Sequence, residues 1–345
     1  MSNLSVDEKY NLVTRNTIEV ITESELRTLL EKKKEPVMYI GTSVTGRPHI
    51  GYFVWATKVA DFMKAGFKVK ILLADVHGSL DNCPWDLLDN RYEYYKLVIR
   101  GMLKSAGADI EKLEFVKGSS FQLSEKYMFD VLKLSSFTTV HDANKAASDV
   151  VKMGANPKLS GLIYPLLQAL DEEYLGVDVQ YGGVDQRKIL VYARENLPKL
   201  GYKPRIEIMT PLIPGLSLGG KMSSSDPNSK IDLIEKKEDI KSKLNKAFCP
   251  EKVVEGNGVL AFIKYVVMVH KTDKKETFNI TRPEKFGGNI SFSTYEELEK
   301  YYTEGKLHPL DLKNALSEEV NKLLEPIRKE FEGKEEIITK AYPSN

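Results

Sequence analysis

The sequence is poor in cysteine, with only Cys83 and Cys249 among its 345 residues. So few cysteines, so far apart, exclude a disulfide scaffold and a Cys-x-x-Cys zinc site, and they favour a reducing compartment. The sequence also lacks any apolar run approaching the roughly eighteen residues of a membrane span, and its N-terminus lacks the apolar segment of a signal peptide. We therefore expect a cytoplasmic protein without membrane contact.

Neither sign of charge is in excess, because 50 Lys and Arg face 49 Asp and Glu for a net charge of +1. Any contact with nucleic acid must then come from local patches rather than from a general positive field. Hydrophobic residues make up 42% of the chain, enough for a large core. At about 150 residues per domain, this length predicts two domains or one large α/β unit with an addition.

The first two thirds of the chain alternate strand and helix patterns. The segment from Thr22 to Lys33 has a capping-box pattern and leucines at helical spacing, and it ends before Pro36. A buried strand at Val37–Val44 is followed by a turn and a helical pattern at 49–65. Further strand candidates lie at 69–78, 113–118, 176–183 and 206–213. Such alternation predicts an α/β fold with a doubly wound parallel sheet covered by helices on both faces.

After Lys230 the pattern becomes helical, at 235–248, 258–269, 295–302 and 307–331, and we expect no strong strand there. We therefore place a domain boundary near Leu233, between an α/β domain at 1–233 and an all-helical domain at 234–345. The lysine-rich runs of the chain are typical of solvated helix faces.

A glycine-containing turn follows the first buried strand, with Gly41, Gly46 and Gly51 around Pro48-His49-Ile50. Backbone N–H groups at such a strand-to-helix turn can bind phosphate. Neither GxGxxG nor GxxxxGK[ST] is present, so the common dinucleotide and Walker motifs do not explain the turn. Taken alone, a histidine at a helix start such as His49 is more often a helix cap or a surface residue than a phosphate ligand.

A second glycine-rich segment runs from Gly215 to Ser225 and ends in Lys221-Met222-Ser223-Ser224-Ser225. Its lysine offers a point charge to phosphate, and its hydroxyls can donate to phosphate oxygens. Alone, this segment could be a polar surface loop. Together, the two segments resemble the HIGH and KMSKS motifs of the class I aminoacyl-tRNA synthetases, which lie at corresponding ends of a Rossmann fold. The chain departs from that consensus, because Tyr52 replaces the last histidine and Ser224 replaces the second lysine.

The helical segment at 159–176 carries a narrow polar stripe on an otherwise apolar surface. At 100° per residue, Tyr164, Gln168 and Asp171 fall within about 60° of one another. A carboxylate, an amide and a phenol that converge on one cavity could hold a small zwitterion with its own hydroxyl. The alternative is an ordinary amphipathic helix whose wet side contains these three residues.

Tyr39 lies in the first predicted strand, and Gln186 follows the glycine pair at 182–183. Together with the polar stripe, these residues make the chain resemble one family within that class, the tyrosyl-tRNA synthetases of archaea and the eukaryotic cytosol. The resemblance covers about 25–331. It implies that Tyr39 and Asp171 bind the phenol hydroxyl, while Tyr164, Gln168 and Gln186 bind the α-amino group. It also implies a charge-stabilising role for His49, Lys221, Ser223, Ser224 and Ser225. The ATP contacts that it implies are Gly41, His49, Gly51, Asp185, Lys221 and Met222.

The C-terminal part has two further segments that match this family, RPEKFGG at 282–288 and LHPLDLKN at 307–314. The match implies that Phe286 and His308 clamp the first anticodon base while Asp311 reads its edge. Stacking on rings and hydrogen bonding to base edges is how proteins recognise single-stranded RNA. The alternative makes Phe286 a core residue and His308 a helix start whose dipole Asp311 supports.

The resemblance implies L-tyrosine, ATP with Mg²⁺ and tyrosine tRNA as substrates, with no tightly bound cofactor and no metal ligands in the protein. It also implies a homodimer whose interface lies in an insertion at about 116–155. Three other interpretations remain open from the sequence alone. They are a tryptophanyl enzyme of the same class, a synthetase-like RNA-binding protein without catalysis, and a small-molecule nucleotidyltransferase.

Overall fold

The computed structural model describes residues 4–151, 154, 156–220, 222 and 229–343. Its strands are β1 (Glu19–Ile21), β2 (Val37–Ser43), β3 (Lys68–Ala74), β4 (Leu113–Lys117), β5 (Val179–Gly183), β6 (Ile206–Thr210), β7 (Phe278–Ile280) and β8 (Ile290–Phe292). Its helices are α1 (Val6–Thr14), α2 (Glu23–Lys32), α3 (Phe53–Lys64), α4 (Asp75–Leu80), α5 (Leu88–Ser105), α6 (Ser119–Gln122), α7 (Glu125–Phe137), α8 (Val140–Ala147), α9 (Leu159–Tyr174), α10 (Arg187–Asn196), α11 (Lys237–Lys246), α12 (Gly258–Phe262), α13 (Met268–Lys274), α14 (Tyr295–Thr303), α15 (Pro309–Phe331) and α16 (Glu336–Ala341).

The main sheet has six strands in the order β1-β6-β5-β2-β3-β4. Strands β2 to β6 run parallel to their neighbours, and only β1 is antiparallel, to β6. The chain builds outward from β2 through β3 and β4, then returns to pair β5 with the other side of β2. Ligands of such sheets bind at this switch point, outside the carboxyl ends of the strands. The predicted parallel sheet is therefore present, with its switch point between β2 and β5.

The strand predicted at 69–78 is too long, because β3 ends at Ala74 and the buried helix α4 begins at Asp75. The carboxylate of Asp75 accepts a hydrogen bond of 2.8 Å from the backbone N–H of Ser119, which joins this turn to the end of β4. A short buried helix is as apolar as a strand, so periodicity alone does not separate the two.

The expectation that no strand follows residue 230 is wrong, because β7 and β8 pair as an antiparallel ribbon. Each strand has only three residues, with Phe278 and Ile280 buried on either side of an exposed Asn279. Three residues are too few for a clear alternation in the sequence. The predicted helices of this region are present as α11 to α15, with a π-helical turn at Ile263–Val267 between α12 and α13.

Local sequence signals explain where several helices begin and end. The side chain of Thr22 caps α2 by accepting a 3.3 Å hydrogen bond from the backbone N–H of Glu25. After α3, Gly66 takes a left-handed conformation with φ of 94°, which lets the chain turn directly into β3. No helix in the described ranges is long and apolar enough to cross a membrane.

The largest cluster of buried apolar side chains extends from Val13 in α1 to Ala341 in α16. Helix α15 packs on α5 so closely that a Cβ added to Gly101 would lie 2.8 Å from the Cα of Ile327. The segment that follows residue 233 therefore shares its core with the helices beside the sheet. A division at Leu233 remains a prediction from the sequence.

Candidate functional site

A cavity of about 630 Å³ opens at the carboxyl edge of the sheet, at the switch point between β2 and β5. Parallel strands bring their last residues to this edge, and α9 covers one side of it. Ten of the side chains or glycines predicted for a substrate site line this one cavity. They are Tyr39, Gly41, His49, Gly51, Tyr164, Gln168, Asp171, Asp185, Gln186 and Met222.

The carboxylate of Asp171 lies at the bottom of the cavity and is fully buried. One oxygen, Oδ1, accepts 2.8 Å hydrogen bonds from the Gln122 amide and from the Tyr127 hydroxyl. The other oxygen, Oδ2, has no hydrogen-bond partner within the described part of the chain, and the Nε2 atom of His77 lies 3.9 Å away from it. Because buried polar atoms require partners, Oδ2 can accept a hydrogen bond from a donor that comes within reach of it.

Burial raises the pKa of Asp171 to about 7, and the hydrogen bonds from Gln122 and Tyr127 act in the opposite direction. The neighbouring imidazole does not supply a compensating charge, because burial lowers the pKa of His77 to about 4. The carboxyl group therefore gains its negative charge as the pH rises through about 7.

The remaining polar stripe of α9 also faces the cavity rather than open solvent. The hydroxyl of Tyr39 donates a long hydrogen bond of 3.4 Å to the backbone oxygen of Gln168. The amide of Gln168 donates to Oε1 of Gln186 over 3.2 Å, which ties α9 to the end of β5. The ring of Tyr164 packs edge-on against that of His77. Amide and phenol groups thus line the same cavity as the buried carboxylate of Asp171.

The turn before α3 holds the ring of His49 against the backbone. The Nδ1 atom of this ring accepts a 3.2 Å hydrogen bond from the backbone N–H of Gly51. A Cβ added to Gly51 would lie 2.9 Å from two atoms of the same ring, so only glycine at this position leaves room for the His49 ring. The last residue of the turn, Tyr52, packs its ring edge-on against His49, with centroids 5.1 Å apart.

Burial lowers the pKa of His49 to about 3, and the positive charge of Lys230 adds to that shift. The ring is therefore neutral at physiological pH. Since Nδ1 accepts a hydrogen bond, the ring hydrogen resides on Nε2. His49 thus presents a neutral N–H donor at the carboxyl edge of the sheet.

The second glycine-rich segment reaches the same cavity through Met222, which lines it. The sulfur of Met222 would lie 3.5 Å from a Cβ added to Gly51, so the two sequence motifs meet in space. The predicted residues Lys221, Ser223, Ser224 and Ser225 lie outside the described residues, and their roles remain predictions from the sequence.

The residues predicted to read an anticodon lie on two adjoining loops of the C-terminal part. Arg282 donates to the backbone oxygen of Lys306 over 3.0 Å, which joins the loop of Phe286 to that of His308. Phe286 is 59% exposed and so is not a core residue. His308 caps α15 by accepting a 3.1 Å hydrogen bond from the backbone N–H of Leu310, and Asp311 lies in the first turn.

A larger and more open groove of about 850 Å³ lies between α2 and the segments that precede β5 and β6. Its lining includes Glu25, Lys32 and Arg205, and none of the residues predicted for the site. The switch-point cavity is smaller, but it is where the buried unpartnered acceptor and the two motifs come together.

Sequence reasoning missed Gln122, Tyr127 and His77, the side chains that surround the carboxylate of Asp171. They come from α4, α6 and α7, more than 40 positions from Asp171 along the chain. Gln122 and Tyr127 belong to the segment predicted only as an interface. No local pattern marks them, because tertiary packing alone brings them to α9.

Comparison with known proteins matches residues 31–325 to the family model described as tRNA synthetases class I (W and Y). A cytoplasmic tyrosine–tRNA ligase of Gallus gallus is 52% identical over 98% of this chain, which spans 64% of that relative's length. The Saccharomyces cerevisiae relative of the same name is 50% identical, with 98% of this chain and 88% of that protein covered. A tyrosyl-tRNA synthetase of Archaeoglobus fulgidus, solved with L-tyrosine, superposes with a TM-score of 0.88 at 40% identity, covering 94% of this chain and 99% of that one.

The fold and the family model together define the chain as a member of the class I tRNA synthetases of the tryptophan and tyrosine group. Within that group it belongs to the tyrosyl-tRNA synthetases, in the branch that archaea share with the eukaryotic cytoplasm. The resemblance drawn from the sequence motifs and the predicted Rossmann-like fold with a helical addition are thereby confirmed.

Replacing Gly51 with alanine is expected to displace the His49 ring and to destabilise the fold by about 1–3 kcal/mol, as overpacking does. Thermal unfolding of the variant measures this loss. Gly41→Ala is the matched control, because its added Cβ would meet Leu72 at an ordinary 3.7 Å. Equal melting temperatures for the two variants would show that Gly51 does not hold the ring in place.

Proposed function

We propose that this chain is a tyrosine–tRNA ligase, which activates L-tyrosine with ATP and transfers it to the terminal adenosine of tyrosine tRNA. The observation that carries the proposal is the fully buried Asp171, which lines the same cavity as the His49 turn and whose Oδ2 has no hydrogen-bond partner among the described residues. A hydroxyl donor and a triphosphate can therefore be held side by side. The Archaeoglobus fulgidus relative was solved with L-tyrosine, which supports tyrosine as the amino acid substrate of this chain.

The phenol of the substrate donates its hydrogen to Oδ2 of Asp171 and meets the hydroxyl of Tyr39. A site built to pair a substrate hydroxyl leaves its own polar groups unpaired when phenylalanine enters, and tyrosyl-tRNA synthetase is the standard example of this discrimination. At the other end, the α-amino group is bound by Tyr164, Gln168 and Gln186, whose two amides are already linked.

ATP binds across the end of β2, with Gly41 and Gly51 allowing close approach and Asp185 beside the nucleotide. The neutral His49 donates from Nε2 to a phosphate oxygen. Mg²⁺ enters with ATP as part of the substrate, and the protein contributes no resident cofactor. The tyrosine carboxylate then attacks the α-phosphorus, the bond to the β,γ-phosphates breaks, and pyrophosphate leaves with its magnesium ion.

In the second step a ribose hydroxyl of the terminal adenosine attacks the tyrosyl carbonyl, and AMP leaves. No protein nucleophile takes part. Catalysis rests on in-line positioning and on donors placed where phosphate charge develops. Lys221 and the serines at 223–225 supply these donors together with His49, and closure of their glycine-rich loop completes the site.

The tRNA anticodon binds in the proposed C-terminal domain at 234–345, where an exposed Phe286 and the His308 ring offer stacking surfaces. Asp311, in the first turn of α15, reads the edge of the base. The named relatives from the eukaryotic cytoplasm support a cytoplasmic location.

The protein is a homodimer in this proposal, and its interface is the apolar surface of the insertion. Large apolar side chains lie exposed there on and beside α6, α7 and α8, far more densely than elsewhere on the described surface. They are Leu123 (64%), Met128 (40%), Phe129 (57%), Leu132 (64%), Phe137 (49%) and Val140 (72%). A cluster of this kind on a folded chain marks a contact with another protein.

The reaction is tested by ATP–pyrophosphate exchange with tyrosine and with tryptophan, followed by charging of tyrosine tRNA from archaeal, eukaryotic and bacterial sources. Exchange with tyrosine and charging of archaeal or eukaryotic tRNA are expected. Exchange with tryptophan alone would make the chain a tryptophanyl enzyme, and no exchange with either would remove the catalytic proposal.

Substitutions at the phenol end and at the amino end of the cavity should have different effects. Asp171→Ala and Tyr39→Phe are expected to reduce the preference for tyrosine over phenylalanine, since they remove partners of the hydroxyl. Gln186→Ala should weaken both amino acids alike. The measurement is kcat/KM for exchange with each amino acid, and equal losses in all three variants would refute this division of roles.

Lys221→Ala is expected to slow adenylate formation by about a hundredfold or more, because it removes a donor to developing phosphate charge. Binding of tyrosine should stay nearly unchanged, since the lysine does not contact that substrate. Single-turnover formation of the adenylate and equilibrium dialysis of tyrosine separate the two effects. An unchanged rate would exclude Lys221 from the mechanism.

Leu132→Glu is expected to convert the dimer to monomers, because it places a charge among the exposed apolar side chains of the insertion. Sedimentation equilibrium of the full chain measures the mass. Ile18→Glu is the control, since Ile18 is also exposed, at 51%, but lies outside the insertion. A monomeric wild type, or a dimer that survives Leu132→Glu, would contradict the proposed interface.

A further inference from the structure

Two glutamates that the proposed reaction does not use are buried beside the tyrosine cavity. Glu172 follows Asp171 on α9, Glu207 lies in β6, and both are completely inaccessible to solvent. Their carboxyl groups lie within hydrogen-bonding reach of each other. Apart from this mutual contact, no hydrogen-bond donor in the described ranges reaches any of the four oxygens.

The two nearest cations do not supply the missing donors. Arg205 donates to the backbone oxygens of Val177 and Lys203 and to the carboxylate of Glu173. Arg194 donates to the backbone oxygen of Arg205 and to the carboxylate of Glu25. Their positive charges act on the pair only from a distance, and their hydrogen bonds are directed elsewhere.

The other groups around the pair do not neutralise it either. Asp171 on the same helix adds a third acid, and the phenol of Tyr39 in β2 is neutral because burial raises its pKa. In the sheet, Gln180 of β5 pairs with Tyr39 of β2 and with Glu207 of β6. Its buried Oε1 also lacks a donor in the part of the chain that the structure describes. Burial is the main cause that raises the pKa of both carboxyl groups well above the usual value, and two ionised carboxylates that face each other in such an environment are not stable together.

We propose that Glu172 and Glu207 share one proton at neutral pH, and that this acid–carboxylate contact holds α9 against β6. The proton forms a hydrogen bond from one carboxyl group to the other and leaves the pair with a single negative charge. Helix α9 carries Tyr164, Gln168 and Asp171, so the shared proton positions the side chains that face the cavity. Loss of this proton at alkaline pH sets two like charges in contact and pushes α9 away from the sheet.

The proton itself can be observed without any assay of activity. At pH 8, where Asp171 is largely ionised, the infrared spectrum of the wild type should show the carbonyl band of one buried protonated carboxylic acid. That band should be absent from both Glu172→Gln and Glu207→Gln. Glu114→Gln, an exposed position of β4, is the control and should keep it. A wild type without the band, or two glutamine variants that retain it, would overturn the proposal.

The stability of the fold provides a second test, because the unfolded chain holds almost no proton at these glutamates above about pH 6. Folding of the wild type then takes up one more proton than folding of Glu207→Gln, so rising pH destabilises the wild type more. The ratio of the two unfolding equilibrium constants should change by up to tenfold per pH unit between pH 6 and 8. Urea unfolding measures this ratio, and parallel curves would overturn the shared proton. Glu172→Gln replaces Glu207→Gln if the latter does not fold.

The KM for tyrosine tests whether the shared proton positions the side chains of α9, and this test rests on the proposed function. The KM for tyrosine should rise at alkaline pH in the wild type, but not in Glu207→Gln, while Glu114→Gln follows the wild type. An equal alkaline rise in all three proteins would overturn the positioning role. Absence of tyrosine activation in every protein, with the infrared band present, would overturn the proposed function and leave the shared proton established.

Discussion

The architecture of the site depends on one carboxylate that is removed from water and given donors on only one side. Asp171, which lines the cavity, receives two hydrogen bonds at Oδ1 from the insertion, while Oδ2 has no partner within the described ranges. An unpaired buried acceptor is costly, and in the proposed function a hydroxyl donor on the substrate supplies the missing hydrogen bond. Under that proposal, the same geometry explains a preference for tyrosine over phenylalanine.

The donors to Oδ1 connect substrate recognition with the outer surface of the protein. Tyr127 points inward from α7, while Phe129 and Leu132 on the same helix remain exposed. In the proposed dimer, contact with a second chain would cover those two side chains. It would thereby stabilise α7, whose Tyr127 donates a hydrogen bond to Asp171. The insertion would then serve both assembly and specificity, through opposite faces of one short helix.

The nucleotide side of the cavity follows a different physical rule, which is close packing around a neutral ring. Gly51 has no side chain, so its backbone N–H can reach Nδ1 of His49 and fix the hydrogen on Nε2. Tyr52 occupies the last position of the motif and contributes ring contact to His49 rather than a second imidazole. In the proposed mechanism, the lysine of the second motif therefore supplies the positive charge that stabilises phosphate.

The sequence by itself determined the parallel sheet, the helical C-terminal part, the two motifs and the polar stripe of α9, because these depend on local periodicity and short spacings. It could not separate the end of β3 from α4, since both are buried and apolar, or detect β7 and β8, which have three residues each. Only the tertiary structure brought Gln122 and Tyr127 to Asp171 and set Glu172 against Glu207. Such contacts join side chains that are distant along the chain, and no local pattern records the packing of one helix against another.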